Sequence, residues 1–325
     1  MRRRAFIILS GSGVGMQPFV AGAQSKAMPV IGYLHSAAPD YAPTASVFLE
    51  GLRDAGFVVG KNVAMEYRFA EGHYDRLPAL AAELVARKVD LIVAMAPPPA
   101  IAAKKATSTI PIVFEVGDDP VGNGLVASLA RPGGNATGVS ILFTQLTGKR
   151  IELLHEMLPA GKVFAQLVNP KSSTAAPTIH DAAEAERAQG VQVPIVKAAT
   201  ESEIDAVFAS LAGLKASALS VGADPFFDSR REQFAALAAR HAMPTMFFER
   251  AFTAAGGLIS YGTNLEAVYR LVGTYAGKVL KGERPAAIPV QQPTTFELSV
   301  NLKTARTLGL ALPPTILARA DDVVE

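Results

Sequence analysis

Three stretches of the chain set Asp or Asn directly before Pro, each at the end of an apolar run: Val116-Gly117-Asp118-Asp119-Pro120, Val168-Asn169-Pro170 and Gly222-Ala223-Asp224-Pro225. That pairing suits a helix start, because the side-chain oxygen accepts a free backbone N–H and Pro at the first helical position needs none. Where such starts follow parallel strands they share one edge of the sheet, and there exposed N–H groups attract a carboxylate while an Asp attracts an ammonium. Asp119, Asn169 and Asp224 are therefore ligand-binding candidates as a set, although each alone serves equally well as a helix cap. Neighbouring strand-end loops add His35, Asp40, Tyr41, Pro97, Arg250 and Tyr261. Tyr41, Phe226, Phe227, Phe248 and Tyr261 offer aromatic faces for a flat or apolar ligand, with one of the Phe226–Phe227 pair suited to the core. Arg250 has the geometry to grip a carboxylate in a bidentate manner, or else to pair with Glu249 or a neighbouring acid.

Chemistry beyond binding finds little support. The five His (His35, His73, His155, His180, His241) form no H-x-x-x-H pair, and no G-x-S-x-G or G-x-x-x-x-G-K-[ST] segment occurs. Gly11-Ser12-Gly13-Val14-Gly15 has the wrong spacing for a dinucleotide loop and lacks a preceding strand. With no Cys at all, disulfides, thiolate metal sites and Cys nucleophiles are excluded together. Neither a catalytic residue, a metal nor a cofactor is expected. Thirty-one Lys and Arg against 29 Asp and Glu leave a net charge of +2, so no basic field recommends nucleic acid.

The elements that must position these loops alternate as βαβ units do, so the fold class is α/β with parallel sheets. In the first half, strands are expected at 30–34, 63–69, 91–94, 112–114 and 137–140, with helices at 44–55, 74–87, 100–107 and 122–130. A helix at 146–158 introduces a second set: strands at 163–168, 191–196, 218–221, 245–248 and 258–261, and helices at 175–189, 201–214, 229–241 and 250–254. In a length of 325 residues, this reads as two Rossmann-like lobes joined by a hinge of several strands. Lobe 1 takes residues 28–143 plus 263–287, and lobe 2 takes 144–262 plus 288–325. The long helix 264–281, a strand at 295–300, a short helix at 303–308 and an extended end from Leu312 complete the two sheets.

The N-terminus reads as an address. Arg2-Arg3-Arg4, a mild apolar run to Val20 and the small-x-small site Ala21-Gly22-Ala23 form the three parts of a secretory signal, and the Arg pair is like a twin-arginine signal. Cleavage after Ala23 would remove three Arg and no acid, which turns the net charge slightly negative. The expected location is the periplasm.

Longer blocks carry a resemblance. Asp119-Pro120-Val121-Gly122-Asn123-Gly124-Leu125-Val126 followed by Arg131-Pro132-Gly133-Gly134-Asn135-Ala136-Thr137-Gly138, then Ala223-Asp224-Pro225-Phe226-Phe227-Asp228-Ser229-Arg230-Arg231-Glu232-Gln233, then Ala255-Gly256-Gly257-Leu258-Ile259-Ser260-Tyr261-Gly262, and finally Gln292-Pro293-Thr294-Thr295-Phe296-Glu297-Leu298 with Asn301-Leu302-Lys303-Thr304-Ala305 occur in order. With these the chain resembles the substrate-binding components of ABC-type uptake systems, in the family that includes tryptophan/tyrosine-binding proteins. The resemblance implies a type I periplasmic-binding-protein fold, three hinge crossings, a small organic ligand (an amino acid or aromatic carboxylate) held between the lobes, and a membrane permease as partner of a monomeric receptor. It carries the amino-acid contacts to the Pro39–Tyr41 loop, the Ala96-Pro97 turn, Asp119, Asn169 and Asp224. The chain departs from the family where Ala96-Pro97-Pro98-Pro99 replaces a Ser or Thr, which removes a hydroxyl donor for a carboxylate. The same cleft would also serve an exported Rossmann-type enzyme acting on a small carboxylate, or the ligand-sensing domain of a membrane sensor.

Overall fold

A computed structural model describes residues 28–39 and 42–325. The export segment and two of the site candidates, Asp40 and Tyr41, lie outside the described residues.

Among the described residues, twelve strands build two sheets. The first half contributes β1 (Val30–His35), α1 (Ala42–Asp54), β2 (Ala64–Phe69), α2 (Leu77–Ala86), β3 (Leu91–Met95), α3 (Pro97–Ala106), β4 (Ile112–Val116) and β5 (Ala136–Ser140). The second contributes α4 (Thr147–Met157), β6 (Phe164–Val168), α5 (Ala175–Gln189), β7 (Ile195–Lys197), α6 (Glu201–Leu211), β8 (Ala218–Val221), α7 (Pro225–Asp228), α8 (Arg231–Arg240), β9 (Thr245–Phe247), α9 (Arg250–Ala254) and β10 (Ile259–Thr263). The tail adds α10 (Leu265–Leu280), β11 (Phe296–Asn301), α11 (Leu302–Thr307), α12 (Pro314–Arg319) and β12 (Asp322–Val324).

The first sheet is parallel, in the order β2-β1-β3-β4-β5. In the second, β7-β6-β8-β9-β10 repeats that order strand for strand, and β11 and β12 extend its far edge with β11 antiparallel to β10. The two bodies thus share one doubly wound order. Both sheets have helices on their faces, so β3, β4, β6 and β8 are buried along their whole length and read as mainly apolar runs, broken only by Glu115, Gln166 and Ser220, rather than as alternating ones.

Two expectations fail for identifiable reasons. Residues 122–130 form successive turns, not a helix. Gly122, Gly124 (at φ 70°) and the Pro132-Gly133-Gly134 run that follows supply turn chemistry, and Leu125 and Val126 are buried singly without a helical stripe. The C-terminal stretch is not simply extended, because Pro314 opens α12 and Asp322–Val324 pairs with β11. Pro at a first helical position starts a helix as readily as it ends one.

The tail knits the sheets together. Helix α10 packs along α1 through Phe48, Leu52, Val268, Val272 and Tyr275. The two backbones touch: a Cβ on Gly51 would lie 1.8 Å from the Arg270 carbonyl oxygen. After α10, residues 288–291 lie against the first sheet, where Gln291 bridges Val139 and Thr137 Oγ1 donates to the Ile288 carbonyl at 2.7 Å. The chain thus passes between the sheets at 141–146, at 264 and at 292–295. Arg150, almost fully buried, ties the first passage to the second by donating to the carbonyls of Phe143 (2.9 Å) and Tyr261 (2.8 Å). Asn264 caps α10 by accepting from Ala267 N at 2.8 Å, and its amide donates to Glu297 on β11, just beyond the third passage.

Candidate functional site

The C-terminal ends of the two parallel sheets face one another. Ligands in open α/β sheets bind at that edge, and the loops here come from both lobes. Two polar bridges span the gap. Tyr74 Oη of the first lobe donates to the Asp224 carboxylate of the second at 3.0 Å, and Ser173 Oγ of the second donates to Asp118 Oδ2 of the first at 2.8 Å. Between them lies an inner cavity of about 50 Å³, with His35, Pro97, Glu115 and Gly117 on one wall, Asp224, Asp228 and Phe248 on the other, and Phe143, Leu265 and Tyr269 at the hinge. A wider cavity of about 280 Å³ shares Leu265 and Tyr269 with it and opens outward past Glu249, Arg250, Thr263 and Glu266.

The three Asx-Pro junctions, alike in sequence, differ in structure. Asp224 is the helix cap it was expected to be: its Oδ1 accepts from Phe226 N at 3.0 Å at the start of α7. It also accepts from Asn169 Nδ2 at 2.9 Å and from Tyr74, so one buried carboxylate joins two strand ends of its own lobe to the opposite lobe. Asn169 does not start a helix, since α5 begins six residues later; its Oδ1 closes a local turn with Lys171 N at 3.0 Å. Asp119 likewise precedes a turn, accepts from Val121 N at 2.9 Å, and lies exposed. It lines neither cavity, whereas its neighbour Asp118, buried and facing Ser173, holds the contact across the cleft.

Of the remaining candidates, His35 and Pro97 line the inner cavity and Arg250 the outer one, where its Nη2 is 3.8 Å from Glu266 Oε1 rather than paired with Glu249. Phe226 lines neither. It closes the gap between lobes against Gly72, where a Cβ would come within 3.2 Å of its ring, and Arg230 stacks over it at 5.3 Å. Tyr261 points away from the cleft and packs on Phe296, with ring centroids 6.0 Å apart. On β10 the side chains alternate, so Tyr261 takes the face opposite to Gly262, whose Cβ would strike the Phe248 carbonyl.

Burial shifts the acids. Glu115 is pushed up to about 8 from its ordinary 4.5, mainly by desolvation, with Asp118 and Glu249 adding repulsion. Asp118 and Asp224 are raised by burial despite the hydrogen bonds that favour their charged forms. Asp228 lies well above its ordinary value through burial and the proximity of Glu249. His35 falls to about 4 because its ring is buried, and its Nδ1 accepts from Ala37 N at 2.8 Å. At neutral pH it is therefore an uncharged wall residue. Glu115, Asp228, Glu249 and Tyr269 line these cavities without belonging to any of the site candidates that the sequence offers. A signal existed in two cases: Glu115 interrupts the otherwise apolar strand Ile112–Val116, and Asp228 stands four residues from Asp224, one helical turn on.

Comparison with known proteins follows this geometry. Residues 38–324 match the family described as ABC transporter substrate binding protein. A tyrosine-binding protein of Clostridioides difficile is 30% identical over 266 residues, which cover 81% of this chain and 75% of that one. The structure of an ABC domain from Streptococcus pneumonia in complex with L-Trp superposes with a TM-score of 0.79 at 26% identity, covering 90% of this chain and 100% of that one. A ligand-free, open structure of a substrate-binding protein with adhesive properties from Clostridium difficile gives 0.64 at 27% identity, covering 91% and 99%. The fold is the two-lobed type I periplasmic-binding-protein architecture. Among the described residues, no helix is long and apolar enough to cross a membrane.

Proposed function

The chain belongs to the ABC transporter substrate-binding protein family, and from that premise we propose that it is an exported, monomeric receptor that captures an amino acid between its lobes and presents it to a membrane permease. The observation that carries this reading is the cavity walled by both lobes and closed by the Tyr74–Asp224 and Ser173–Asp118 bridges. A solute touching both walls favours the closed form by the difference between its contacts in the closed and open states, and a permease can read that shift. The tyrosine and L-Trp relatives support an amino acid with an aromatic side chain, and Phe143 and Phe248, edge-on at 5.4 Å, provide apolar surface for one. Of the two ligand classes suggested by the sequence, an amino acid suits these walls better than a simple aromatic carboxylate, because the inner cavity is lined by acids and by no Lys or Arg among the described residues.

A thermal-shift screen over the amino acids, aromatic acids and sugars tests the proposal. The expected result is stabilisation by one or a few amino acids, about 2.7 kcal/mol at a ligand concentration of 100 Kd, with the ligand recovered unchanged after hours. Stabilisation by a sugar alone, or turnover of the ligand, would overturn it.

A further inference from the structure

We propose that Glu115, Asp228 and Glu249 form the subsite that takes the positively charged end of the ligand, an organic ammonium, and that binding there expels a proton from the protein. The inference rests on the receptor reading above and assigns the polarity of its cleft.

The three acids come from different elements: the C-terminal end of strand β4, the end of α7 and the loop before α9. Asp228 and Glu249 are each only 6% exposed, and Glu115 is equally buried. Asp228 and Glu249 lie within hydrogen-bonding reach of each other, and Arg231 Nη2 is 3.9 Å from Asp228 Oδ1, but among the described residues no N–H donates to Asp228 Oδ1 or Glu249 Oε1; Asp228 lines the inner cavity and Glu249 the outer one. Thr263 Oγ1, also buried and lining the outer cavity, is likewise without a partner. A buried acceptor left without a donor is costly, so such groups on two adjoining cavities, which share Leu265 and Tyr269, point to a donor that arrives with the ligand.

The other walls agree with a cation. The edge of a parallel sheet ordinarily receives anions at helix N-termini, but α3, which starts at this cavity, opens with Pro97-Pro98-Pro99 and so has no N–H on its first three residues. Phe143, Phe248 and Tyr269 turn rings to the cavity, and an aromatic face attracts a cation. The described residues contain no group of three or more acids and His arranged to hold a metal ion, which leaves an organic cation as the fitting guest.

The proton follows from the charges that face Glu115. From β1 comes neutral His35, from its own strand end Asp118, from the second lobe Asp224, Asp228 and Glu249, and from α10 Tyr269, with Arg231 at 3.9 Å from Asp228. Crowded by acids, Glu115 holds its proton up to about pH 8 in the unliganded protein. When an ammonium docks, the carboxylate forms, the O–H bond breaks and the proton leaves to solvent. Amine affinity should therefore rise with pH up to about 8 and level off above it.

The test is calorimetry with tyramine, phenethylamine and cadaverine against 3-(4-hydroxyphenyl)propionate and 3-phenylpropionate, run at pH 7 in two buffers of different ionisation enthalpy and repeated at pH 6 and 8.5. Binding of one or more amines with proton release, at least tenfold weaker in Glu115→Gln and in Asp228→Asn, supports the subsite. Both variants should melt no lower than wild type, since each removes a crowded buried acid; a merely structural pair would instead lose stability and leave amine affinity unchanged. Binding of the carboxylates in preference to the amines, or amine binding without pH dependence or proton release, overturns the subsite while leaving the receptor reading intact. Binding of no amine and no carboxylate, combined with no response to any amino acid, overturns both.

Discussion

Asp119-Pro120 in the first lobe and Asp224-Pro225 in the second are the same dipeptide at the same kind of strand end, yet they do different work. Asp119 lies in solvent and closes a turn on Val121. Asp224 is 4% exposed and takes hydrogen bonds from Asn169, Phe226 and Tyr74, the last from the opposite lobe. The contrast lies in what surrounds each carboxylate, not in its local motif. Behind Asp224 a short helix begins and a second strand end, Asn169, arrives alongside; behind Asp119 the glycines of 122 and 124 turn the chain away. In the first lobe the inward role passes to Asp118 and, earlier on β4, to Glu115.

Replacing Asp224 by Ala should break the contrast most sharply. It strands the Asn169 amide and the Tyr74 hydroxyl and removes the α7 cap, for a loss of about 2–4 kcal/mol in chemical denaturation, together with weaker ligand binding in calorimetry. An effect no larger than that of Asp119→Ala would erase the distinction.

Glu115→Gln sharpens the comparison within the first lobe. A carboxyl whose native pKa is raised from 4.5 to about 8 binds more protons folded than unfolded across that interval. Its contribution to stability is thus present at low pH and lost as pH climbs from about 4.5 to 8. His35 acts oppositely: lowered to about 4, it destabilises the fold as pH falls from 6.5 towards 4. Denaturation at pH 5, 6.5 and 8 should show wild type losing roughly 2 kcal/mol or more towards pH 8, and Glu115→Gln should flatten that slope. An unchanged slope would mean that Glu115 is solvated and charged.

Tyr74→Phe removes one hydrogen bond between the lobes. The closed form should lose about 1 kcal/mol against the open one, read as a larger radius of gyration in unliganded protein with little change in melting. Asp119→Ala is expected to have the smallest effect, at most about 1 kcal/mol in stability and none on ligand affinity.

Much of this architecture was legible from residue patterns. The buried strands of both sheets and the helices α1 and α2 announce themselves by apolar runs or helical stripes, and the α/β class follows from their alternation. Other features depend on neighbours far away in the chain. The strand expected at 191–196 is regular only over Ile195–Lys197; the carbonyls of Gln192 and Pro194 still accept from Phe164 N and Gln166 N of β6, but Pro194 has no N–H to continue the ladder. Helix Tyr74–Arg87 begins as a tighter turn at Tyr74–Arg76, which holds the Tyr74 hydroxyl toward a residue 150 positions later. Pairing at that separation leaves no local trace. Among site residues, His35, Pro97, Asn169, Asp224 and Arg250 reach the cleft region through their strand-end positions, and Phe226 fills the gap between the lobes against Gly72, while the side-chain direction of Tyr261 sends it away onto Phe296. Glu115 was the clearest missed signal, since a lone acid inside a buried strand is costly unless something uses it.

The central claim is that a solute bound between the lobes holds them together. Small-angle X-ray scattering of the protein with and without the amino acid that stabilises it most tests this directly. The account predicts that wild type and Tyr74→Phe reach the same compact radius of gyration when saturated, with Tyr74→Phe starting from a more open unliganded state. Saturating ligand that leaves the Tyr74→Phe protein as open as before would contradict it.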